Sequence, residues 1–525
     1  MESSDKDQGK KNIPQVQTFT VPFALGEKQE NLTINTKNTF KPSKEEVIKQ
    51  AFEFHAQGNI SEAKKYYQYF INQGFKHHRV FSNYGVILKN LGNLRNAKIF
   101  FQKAIELKPD YADAHLNLGA LYRDLGKLKE AEISTRKVIE LEPDYVKAHI
   151  NLGDILIQLK KRKEAETHTL KAIELKSDDA YAYLNLGTIY REIGQLKEAE
   201  LSTRKAIDLQ YDFADAHINQ ADILLNLGKL NELIVLSKST LDLRSSNEGH
   251  KLCAILRITI ANLLQKNFSE TLLNINKSKE LISKRAINSI KDKSNRKHTS
   301  TFFRFISSLY PLLNKGNNNP NLEKIPHIGE SHCLSFAHQT LSIASQVKVI
   351  QPVLVTGAKA WHFANNENNQ WKDSFTQQIK NHTYSDKVFI SFGEIDCRKD
   401  EGILPYSIKK DIDISEVCEK TINGYLNFME INLSPHYSKK YYFGVPAPTR
   451  KKQLQDEFDL MRKELIKIYN SILKKAVLSR GSYFLDVYEL TSTKDGVNDN
   501  FHMCDSTHLS PECLFILFEN HLYKP

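Results

Sequence analysis

The chain has 525 residues, a formal net charge of +11 at pH 7 and 40% hydrophobic residues. It has no run of 18 apolar residues and no apolar stretch near its start, so we expect neither a membrane span nor a secretory signal, and we predict a cytoplasmic location. No two of its six cysteines form a C-x-x-C pair. This argues against a zinc ribbon, and we predict buried free thiols, no metal and no cofactor.

The chain begins with a polar segment, residues 1–43, which we predict to be disordered because it has too few apolar residues to form a core. Residues 44–247 then repeat with a period of 34. The tripeptide Asn-Leu-Gly recurs at 117–119, 151–153 and 185–187. Small residues recur at a first fixed position, Ala51, Gly85, Gly119, Gly153, Gly187 and Ala221, and at a second, Ala63, Ala97, Ala131, Ala165 and Ala199.

Small residues at two fixed points are needed where a pair of helices crosses closely. This pattern resembles the tetratricopeptide repeat in six copies, and the resemblance implies an all-α superhelix. The sixth copy departs most, with Leu233 and Thr240 where alanines are expected. A terminal repeat that packs on something else is expected to depart in this way.

An asparagine stands two residues before the first small position in five of the six repeats: Asn83, Asn117, Asn151, Asn185 and Asn219. Arrays resembling the superhelical part of O-linked N-acetylglucosamine transferases carry such a ladder on the inner face. An amide can donate to and accept from the backbone of an extended peptide. We therefore predict that the array binds an extended peptide or a protein partner, the alternative being that these amides only bond to a neighbouring helix.

Residues 248–323 are predicted to form a helical, basic connector. Between Lys277 and Lys297 eight basic residues accompany two acidic ones, so more than half of the net charge lies here. A basic stretch can contact nucleic acid, but this one has no interleaved aromatic residues and lies in no recognisable nucleic-acid module. We predict a solvated connector and no nucleic-acid partner.

In residues 324–525 strand-like and helix-like stretches alternate. The predicted strands are 327–328, 347–356, 388–392, 441–445 and 483–487, and the clearest helix is 454–478. Alternation of this kind predicts a parallel sheet covered by helices on both faces, with its chemistry at the carboxyl ends of the strands.

Three short motifs fall at those ends: Gly-Glu-Ser-His at 329–332, Gly-Glu-Ile-Asp-Cys-Arg at 393–398, and Asp-Ser-Thr-His at 505–508. A serine early in the domain and an aspartate three residues before a histidine late in it are the groups needed for a nucleophile, a base and an orienting acid. The motifs resemble those of the SGNH (GDSL-type) hydrolases, which implies a three-layer α/β domain with a flavodoxin-like parallel sheet.

The resemblance makes Ser331 the nucleophile, His508 its base and Asp505 the orienting carboxylate. It implies oxyanion donors at Gly357 and Gly393. The family's asparagine donor is replaced by Ile395, whose side chain cannot donate, and Arg398 or His332 is a candidate substitute. Losing one donor typically lowers the rate by roughly 10²–10³.

Each motif also has a purely structural interpretation, because Ser331 can cap a helix and Asp505 with His508 can form a local turn. Our main hypothesis is a peptide-binding array joined to a serine esterase or acyl-transfer domain acting on a carbohydrate or other small ester. The alternatives are a non-catalytic scaffold with a degenerate hydrolase domain, or a component of glycosylation machinery. A glycosyltransferase needs two nucleotide-sugar lobes, and residues 324–525 leave room for one sheet.

Overall fold

The computed structural model describes residues 42–290, 293–313, 315, 319, 321–449, 457–498 and 500–525, and two short strands, Gln17–Phe19 (β1) and Leu32–Ile34 (β2), which pair antiparallel. Most of the predicted disordered segment 1–43, and residues 454–456 of one predicted helix, lie outside these residues. The chain divides into two compact units, Met1–Ser177 and Asp178–Pro525. No described helix is long and apolar enough to cross a membrane.

The first unit contains four helical hairpins. Their helices are Lys44–Ala56 (α1), Ile60–Asn72 (α2), His78–Asn90 (α3), Leu94–Leu107 (α4), Ala112–Asp124 (α5), Leu128–Leu141 (α6), Val146–Gln158 (α7) and Arg162–Leu175 (α8). Buried alanines and aromatic side chains form the core of the first two hairpins. The all-α repeat architecture predicted for this region is confirmed.

The second unit begins with three more hairpins. Their helices are Ala180–Ile193 (α9), Leu196–Leu209 (α10), Ala214–Asn226 (α11), Leu230–Asp242 (α12), Glu248–Leu264 (α13) and Phe268–Ser283 (α14). The first helix of every hairpin in the chain starts 34 residues after the previous one, from Lys44 to Glu248. Each hairpin is therefore one repeat of the sequence period.

The small positions of the repeat are explained by close helix contact. A Cβ atom added to Gly187 would lie 2.2 Å from Thr203 Oγ1, and one added to Gly119 would lie 2.6 Å from Thr135 Oγ1. In each case the hydroxyl belongs to the second helix of the same hairpin. A side chain at these positions would force the two helices apart.

The hairpin of α13 and α14 is a seventh helical pair, which the sequence pattern did not predict. At the two small positions it carries Ile255 and Asn267, so the alanine–glycine signal is absent. Asn267 instead caps α14 by accepting a hydrogen bond from the Glu270 N–H. The sixth repeat is thus followed by another hairpin. The atypical residues of the sixth repeat, Leu233 and Thr240, are fully buried.

The rest of the second unit is built on a seven-stranded sheet. Its strands are Glu323–Gly329 (β3), Thr340–Ile343 (β4), Gln346–Leu354 (β5), Lys387–Ser391 (β6), Lys439–Phe443 (β7), Tyr483–Leu485 (β8) and Leu522–Tyr523 (β9). Their order is β4-β5-β3-β6-β7-β8-β9. The five inner strands are parallel, and the two edge strands pair antiparallel.

The prediction of a parallel sheet is therefore wrong at both edges, where the sheet is mixed. β4 and β5 are joined by Ala344 and Ser345, both with positive φ (48° and 65°). Positive φ at both central residues suits a two-residue hairpin, but such turns normally carry Asn-Gly or Asp-Gly, so this sequence gives no hairpin signal. β9 has only two residues, too few to show a strand pattern.

Helices cover both faces of the sheet. These are Lys293–Leu309 (α15), Ala360–Ala364 (α16), Gln370–Ile379 (α17), Ile403–Lys410 (α18), Ile414–Leu433 (α19), Glu457–Leu478 (α20), Val487–Thr491 (α21) and Cys513–Asn520 (α22). Val388 and Ile390 of β6 pack on one side with α19 and α20, whereas Phe389 packs on the other side with α22. Alternate residues of the central strands are thus buried on opposite faces.

Candidate functional site

Ser331 lies at the carboxyl edge of the sheet, two residues after β3 ends. The strand comes very close to β6 at its last residue, because a Cβ on Gly329 would lie 2.2 Å from Ser391 Oγ. Ser331 begins a short 3₁₀ helix, Ser331–Phe336, and the Glu330 side chain caps it by accepting from the His332 N–H. The close strand contact and the cap fix the backbone on both sides of the serine.

The structure brings the three predicted residues Ser331, His508 and Asp505 together. Ser331 Oγ lies 2.8 Å from His508 Nε2, and His508 Nδ1 lies 2.9 Å from Asp505 Oδ2. Asp505 Oδ1 also accepts hydrogen bonds from the backbone N–H groups of Thr507 and His508. The local turn and the three-residue relay therefore coexist, since the carboxylate accepts hydrogen bonds from both backbone N–H groups and from the imidazole.

The electrostatics of this relay suit a neutral base. Burial lowers the pKa of His508 and outweighs the opposing effect of Asp505. Burial alone would raise the pKa of Asp505, but hydrogen bonds from His508 outweigh it and lower that pKa to about 2. At neutral pH the imidazole therefore donates from Nδ1 to a carboxylate and offers Nε2 as an acceptor for the Ser331 hydroxyl.

A second buried pair lies beside the relay. Glu330 Oε1 accepts a hydrogen bond from His332 Nδ1, and His332 Nε2 donates to the Thr507 carbonyl at 3.0 Å. Burial lowers the pKa of His332, but the adjacent carboxylate outweighs it and raises that pKa to about 9. The same ion pair outweighs the burial of Glu330 and lowers its pKa to about 2. His332 is therefore an imidazolium at neutral pH.

Glu330 also touches the serine. Its Oε2 lies 2.6 Å from Ser331 Oγ, so the hydroxyl has two acceptors within hydrogen-bond distance, this carboxylate and His508 Nε2. The ring centroids of His332 and His508 are 4.6 Å apart. The cationic ring thus lies next to the neutral one and further disfavours protonation of His508.

Glu330, His332 and His508 also place their ligand atoms within 4.8 Å of one another, a spacing that a metal ion could use. Both ring nitrogens of His332 are already occupied as donors, and His508 faces Ser331 and Asp505. The hydrogen-bond pattern therefore suits proton transfer better than ligation. All six cysteines are free.

Phe305 of α15 is a site residue that the sequence gave no signal for. Its ring is stacked on that of His508, with centroids 3.7 Å apart and an interplanar angle of 21°. Phe305 is 1% exposed and packs with Cys333 and Leu334 of the 3₁₀ helix. The predicted solvated connector thus contributes a helix whose buried side covers the histidine.

A cleft of about 730 Å³ opens above Ser331 and His508. Of the predicted oxyanion donors, Gly357 and Arg398 line it, as does Ile395. Gly393 is not among the lining residues, and a Cβ there would lie 2.7 Å from Tyr469 Oη. The backbone N–H groups of Ser331 and Gly357 have no hydrogen-bond partner among the described residues.

Arg398 is committed to neighbouring carboxylates. It contacts Glu394 at 2.7 Å and Glu401 at 3.1 Å. These ion pairs hold the guanidinium in place, and its charge is largely compensated. Arg398 can therefore orient a substrate on the cleft wall, but it does not replace an amide donor beside Ser331.

The asparagine ladder is only partly free for a ligand. Asn83 donates to Tyr67 Oη, Asn117 to Ser82 Oγ, and Asn219 to Thr188 Oγ1. These three amides therefore bond to a neighbouring helix, as the alternative interpretation expects. Each of these bonds uses one N–H and leaves the second N–H available at half-buried Asn83 and Asn117.

Comparison with known proteins supports the repeat assignment. Family profiles described as tetratricopeptide repeat match residues 78–111, 100–133, 146–179 and 168–200. The chain contains tetratricopeptide repeats. No curated protein is similar enough to count as a relative of this chain.

Several solved structures resemble the tetratricopeptide array. A tetratricopeptide repeat protein from Parabacteroides merdae is 17% identical, with 50% of this chain and 98% of that chain covered and a TM-score of 0.40. PilF of Pseudomonas aeruginosa is 18% identical, with 43% and 96% covered and a TM-score of 0.35. YrrB, described as having an unusual peptide-binding site, is 22% identical, with 38% and 97% covered and a TM-score of 0.28.

Proposed function

We propose that this protein is a tetratricopeptide interaction module joined to an SGNH-type serine hydrolase, which cleaves or transfers an acyl group of a carbohydrate or other small ester. The comparisons support the interaction module and provide no support for hydrolase activity. The observation that carries the proposal is the Ser331–His508–Asp505 relay, in which both hydrogen bonds are shorter than 3.0 Å.

The strand order agrees with this proposal. In chain order the five parallel strands β3, β5, β6, β7 and β8 are arranged 2-1-3-4-5, which is the flavodoxin-like order. In such sheets ligands bind at the carboxyl ends, where the order reverses between the first and third strands. Here those strands are β3 and β6, and Ser331 follows the first of them directly.

The geometry allows a two-step acyl transfer. His508 Nε2 takes the hydroxyl proton as Ser331 Oγ attacks the ester carbonyl carbon, and Asp505 stabilises the imidazolium that forms. When the bond to the alcohol oxygen breaks, His508 returns the proton to that oxygen and the acyl group stays on Ser331. Water, deprotonated by His508, then attacks the acyl carbon. The bond to Ser331 Oγ breaks, and His508 returns the proton to Oγ, which releases the acid and regenerates the serine.

The oxyanion site is the weak part of this mechanism. Charge on the carbonyl oxygen can be stabilised by the N–H groups of Ser331 and Gly357, whereas Ile395 supplies no side-chain donor. One missing donor is expected to slow the reaction by roughly 10²–10³. We therefore infer a slow hydrolase, or one whose substrate itself supplies a donor.

The test is hydrolysis of para-nitrophenyl acetate by the full chain. Ser331→Ala and His508→Ala should each abolish the activity to a similar extent, and the double variant should lose little more, because the two residues act as one unit. Ser335→Ala is a matched control, since this buried serine lies on the same 3₁₀ helix and its hydroxyl has no partner among the described residues. Hydrolysis that persists in Ser331→Ala would refute the mechanism.

The second candidate is a non-catalytic scaffold, and the observation that favours it is isoleucine at position 395. A scaffold predicts no Ser331-dependent turnover of any ester. In both cases the array is proposed to bind an extended peptide or a protein. Replacing Asn117, Asn151 and Asn185 together with alanine should weaken partner recovery in a pull-down while helix content stays constant, because alanine favours helix. Undiminished recovery would exclude the ladder as the binding surface.

A further inference from the structure

The cleft above Ser331 is basic. Its wall carries five basic side chains, Lys279, Lys297, Arg304, Lys359 and Arg398, and three acidic ones, Glu330, Glu401 and Asp505, a formal net charge of +2. The charge of Glu330 is further offset by the His332 imidazolium beside it. Low-dielectric walls of one sign concentrate the field inside a cleft and attract ligands of the opposite sign.

Three of the five cations are paired with protein carboxylates. Lys359 lies 3.2 Å from Glu401, Arg398 contacts Glu394 and Glu401, and Lys297 lies 3.3 Å from Asp400. The other two, Lys279 and Arg304, are exposed and have no carboxylate within ion-pair distance among the described residues. Their charge is therefore available to a bound molecule.

Arg304 belongs to a continuous face of α15. Lys297, Thr301, Arg304, Phe305 and Ser308 all line the cleft, and their spacing places them along one side of a helix. The face offers the hydroxyl groups of Thr301 and Ser308, the Phe305 ring over His508, and the Arg304 guanidinium. A guanidinium presents a planar fork of donors that matches a carboxylate or phosphate geometrically.

We propose that the substrate is an anionic ester, whose acyl or alcohol part carries a carboxylate or a group of similar charge that Arg304 and Lys279 bind. This inference rests on the proposed hydrolase function and specifies its substrate class. The two unpaired cations hold the charged end while the carbonyl carbon lies against Ser331 Oγ. A neutral ester lacks that contact and leaves both cations uncompensated.

The test compares matched esters on the full chain. Mono-para-nitrophenyl succinate carries a charged acyl group, and its methyl ester is the neutral partner. 4-Acetoxybenzoate and its methyl ester place the charge on the alcohol side instead. We expect kcat/KM to be at least about fivefold higher for the anionic member of one pair, and that ratio to fall as NaCl rises from about 50 to about 500 mM, since exposed charges are screened.

Two substitutions test whether Arg304 and Lys279 cause the preference for the anionic ester. Arg304→Gln and Lys279→Gln should each reduce the ratio, and the double variant should bring it close to one. Lys277→Gln is the matched control, because Lys277 lies on the same helix as Lys279, is exposed, and is not among the cleft-lining residues. Its ratio should equal that of the unaltered protein.

The outcomes separate this inference from the hydrolase proposal. Ser331-dependent hydrolysis with equal kcat/KM for charged and neutral esters would overturn the anionic substrate and leave the hydrolase intact. If no ester is hydrolysed, calorimetry with N-phenylsuccinamate and its methyl ester still tests the cleft. Binding of the charged amide that is lost in the Arg304→Gln Lys279→Gln double variant supports anion recognition, and equal or absent binding refutes it.

Discussion

The ion pair between Glu330 and His332 provides a sharp test of the site electrostatics. The change is Glu330→Gln, which keeps the size of the side chain and removes its charge. His332 is buried, so without the carboxylate its imidazolium has no compensating charge in a low-dielectric environment. We expect the ring to become neutral at pH 7 and the domain to lose stability.

The magnitude follows from the pKa of His332. In the folded protein that pKa is raised from 6.5 to about 9. One pKa unit corresponds to about 1.4 kcal/mol, so the pair contributes about 3 kcal/mol when His332 is fully charged. The lowered pKa of Glu330 arises from the same ion pair, so its free energy is not counted a second time. Breaking a buried ion pair by removing one partner typically costs about 3–5 kcal/mol, which agrees.

The sign of the pH dependence is fixed by the direction of each pKa change. Because the folded pKa of His332 is raised, its contribution is complete below pH 6.5 and is lost as the pH rises through about 9. Glu330 stays ionised throughout this window, since its pKa is about 2. The stability difference between the unaltered protein and Glu330→Gln should thus be largest near pH 6 and much smaller above pH 9.

Urea unfolding followed by tryptophan fluorescence measures this difference. Both tryptophans, Trp361 on α16 and Trp371 on α17, belong to the second unit, so the signal does not report the first unit. Glu280→Gln is the control, since it removes one partner of the exposed Lys284–Glu280 pair and should leave the transition unchanged. A destabilisation by Glu330→Gln that is equal at pH 6 and above pH 9 would refute the ion-pair argument.

Three further outcomes are expected. Ile395→Asn should raise the rate of ester hydrolysis by about tenfold or more if it restores an oxyanion donor, whereas Ile395→Val should not, as measured by steady-state kinetics. Hydrolysis should increase with pH and reach half of its maximum below pH 6.5, because burial lowers the pKa of His508 and the base must be neutral; a midpoint above pH 7 would contradict this. Gly187→Ala should destabilise its hairpin by about 1–3 kcal/mol in denaturant unfolding followed by circular dichroism, and Thr203→Ala should recover part of that loss by removing the clashing hydroxyl.

The repeat architecture could be predicted from sequence because the close contact between the two helices of a hairpin requires small residues at fixed positions. A Cβ on Gly119 or Gly187 would meet a threonine hydroxyl of the second helix, and one on Gly85 would meet the Phe101 ring. The same position in these repeats therefore requires a small residue. The seventh hairpin escaped prediction for the same reason. Its first helix starts 34 residues after that of the sixth repeat, but Ile255 and Asn267 stand at the two small positions.

Ser331 and Ile395 could be predicted to lie at one edge because they follow β3 and β6, neighbouring parallel strands whose carboxyl ends meet there. This reason does not extend to Asp505 and His508, since β8, the strand before them, ends at Leu485. What sequence could not show was the environment of each residue. The contact of Glu330 with both Ser331 and His332 depends on side-chain geometry. Phe305 lies about 200 residues from His508 in the chain, so no local pattern connects them.

The position of Phe305 also limits how the α/β domain can be used as a separate part. A fragment starting at residue 324 would contain all three relay residues but would leave one face of the His508 ring bare, and it would expose Cys333, Leu334 and Leu354, on which α15 packs. Such a fragment would lack Arg304 as well. The α/β domain therefore does not contain the complete surroundings of His508 by itself. Any transfer of this domain to another protein would have to begin upstream of α15.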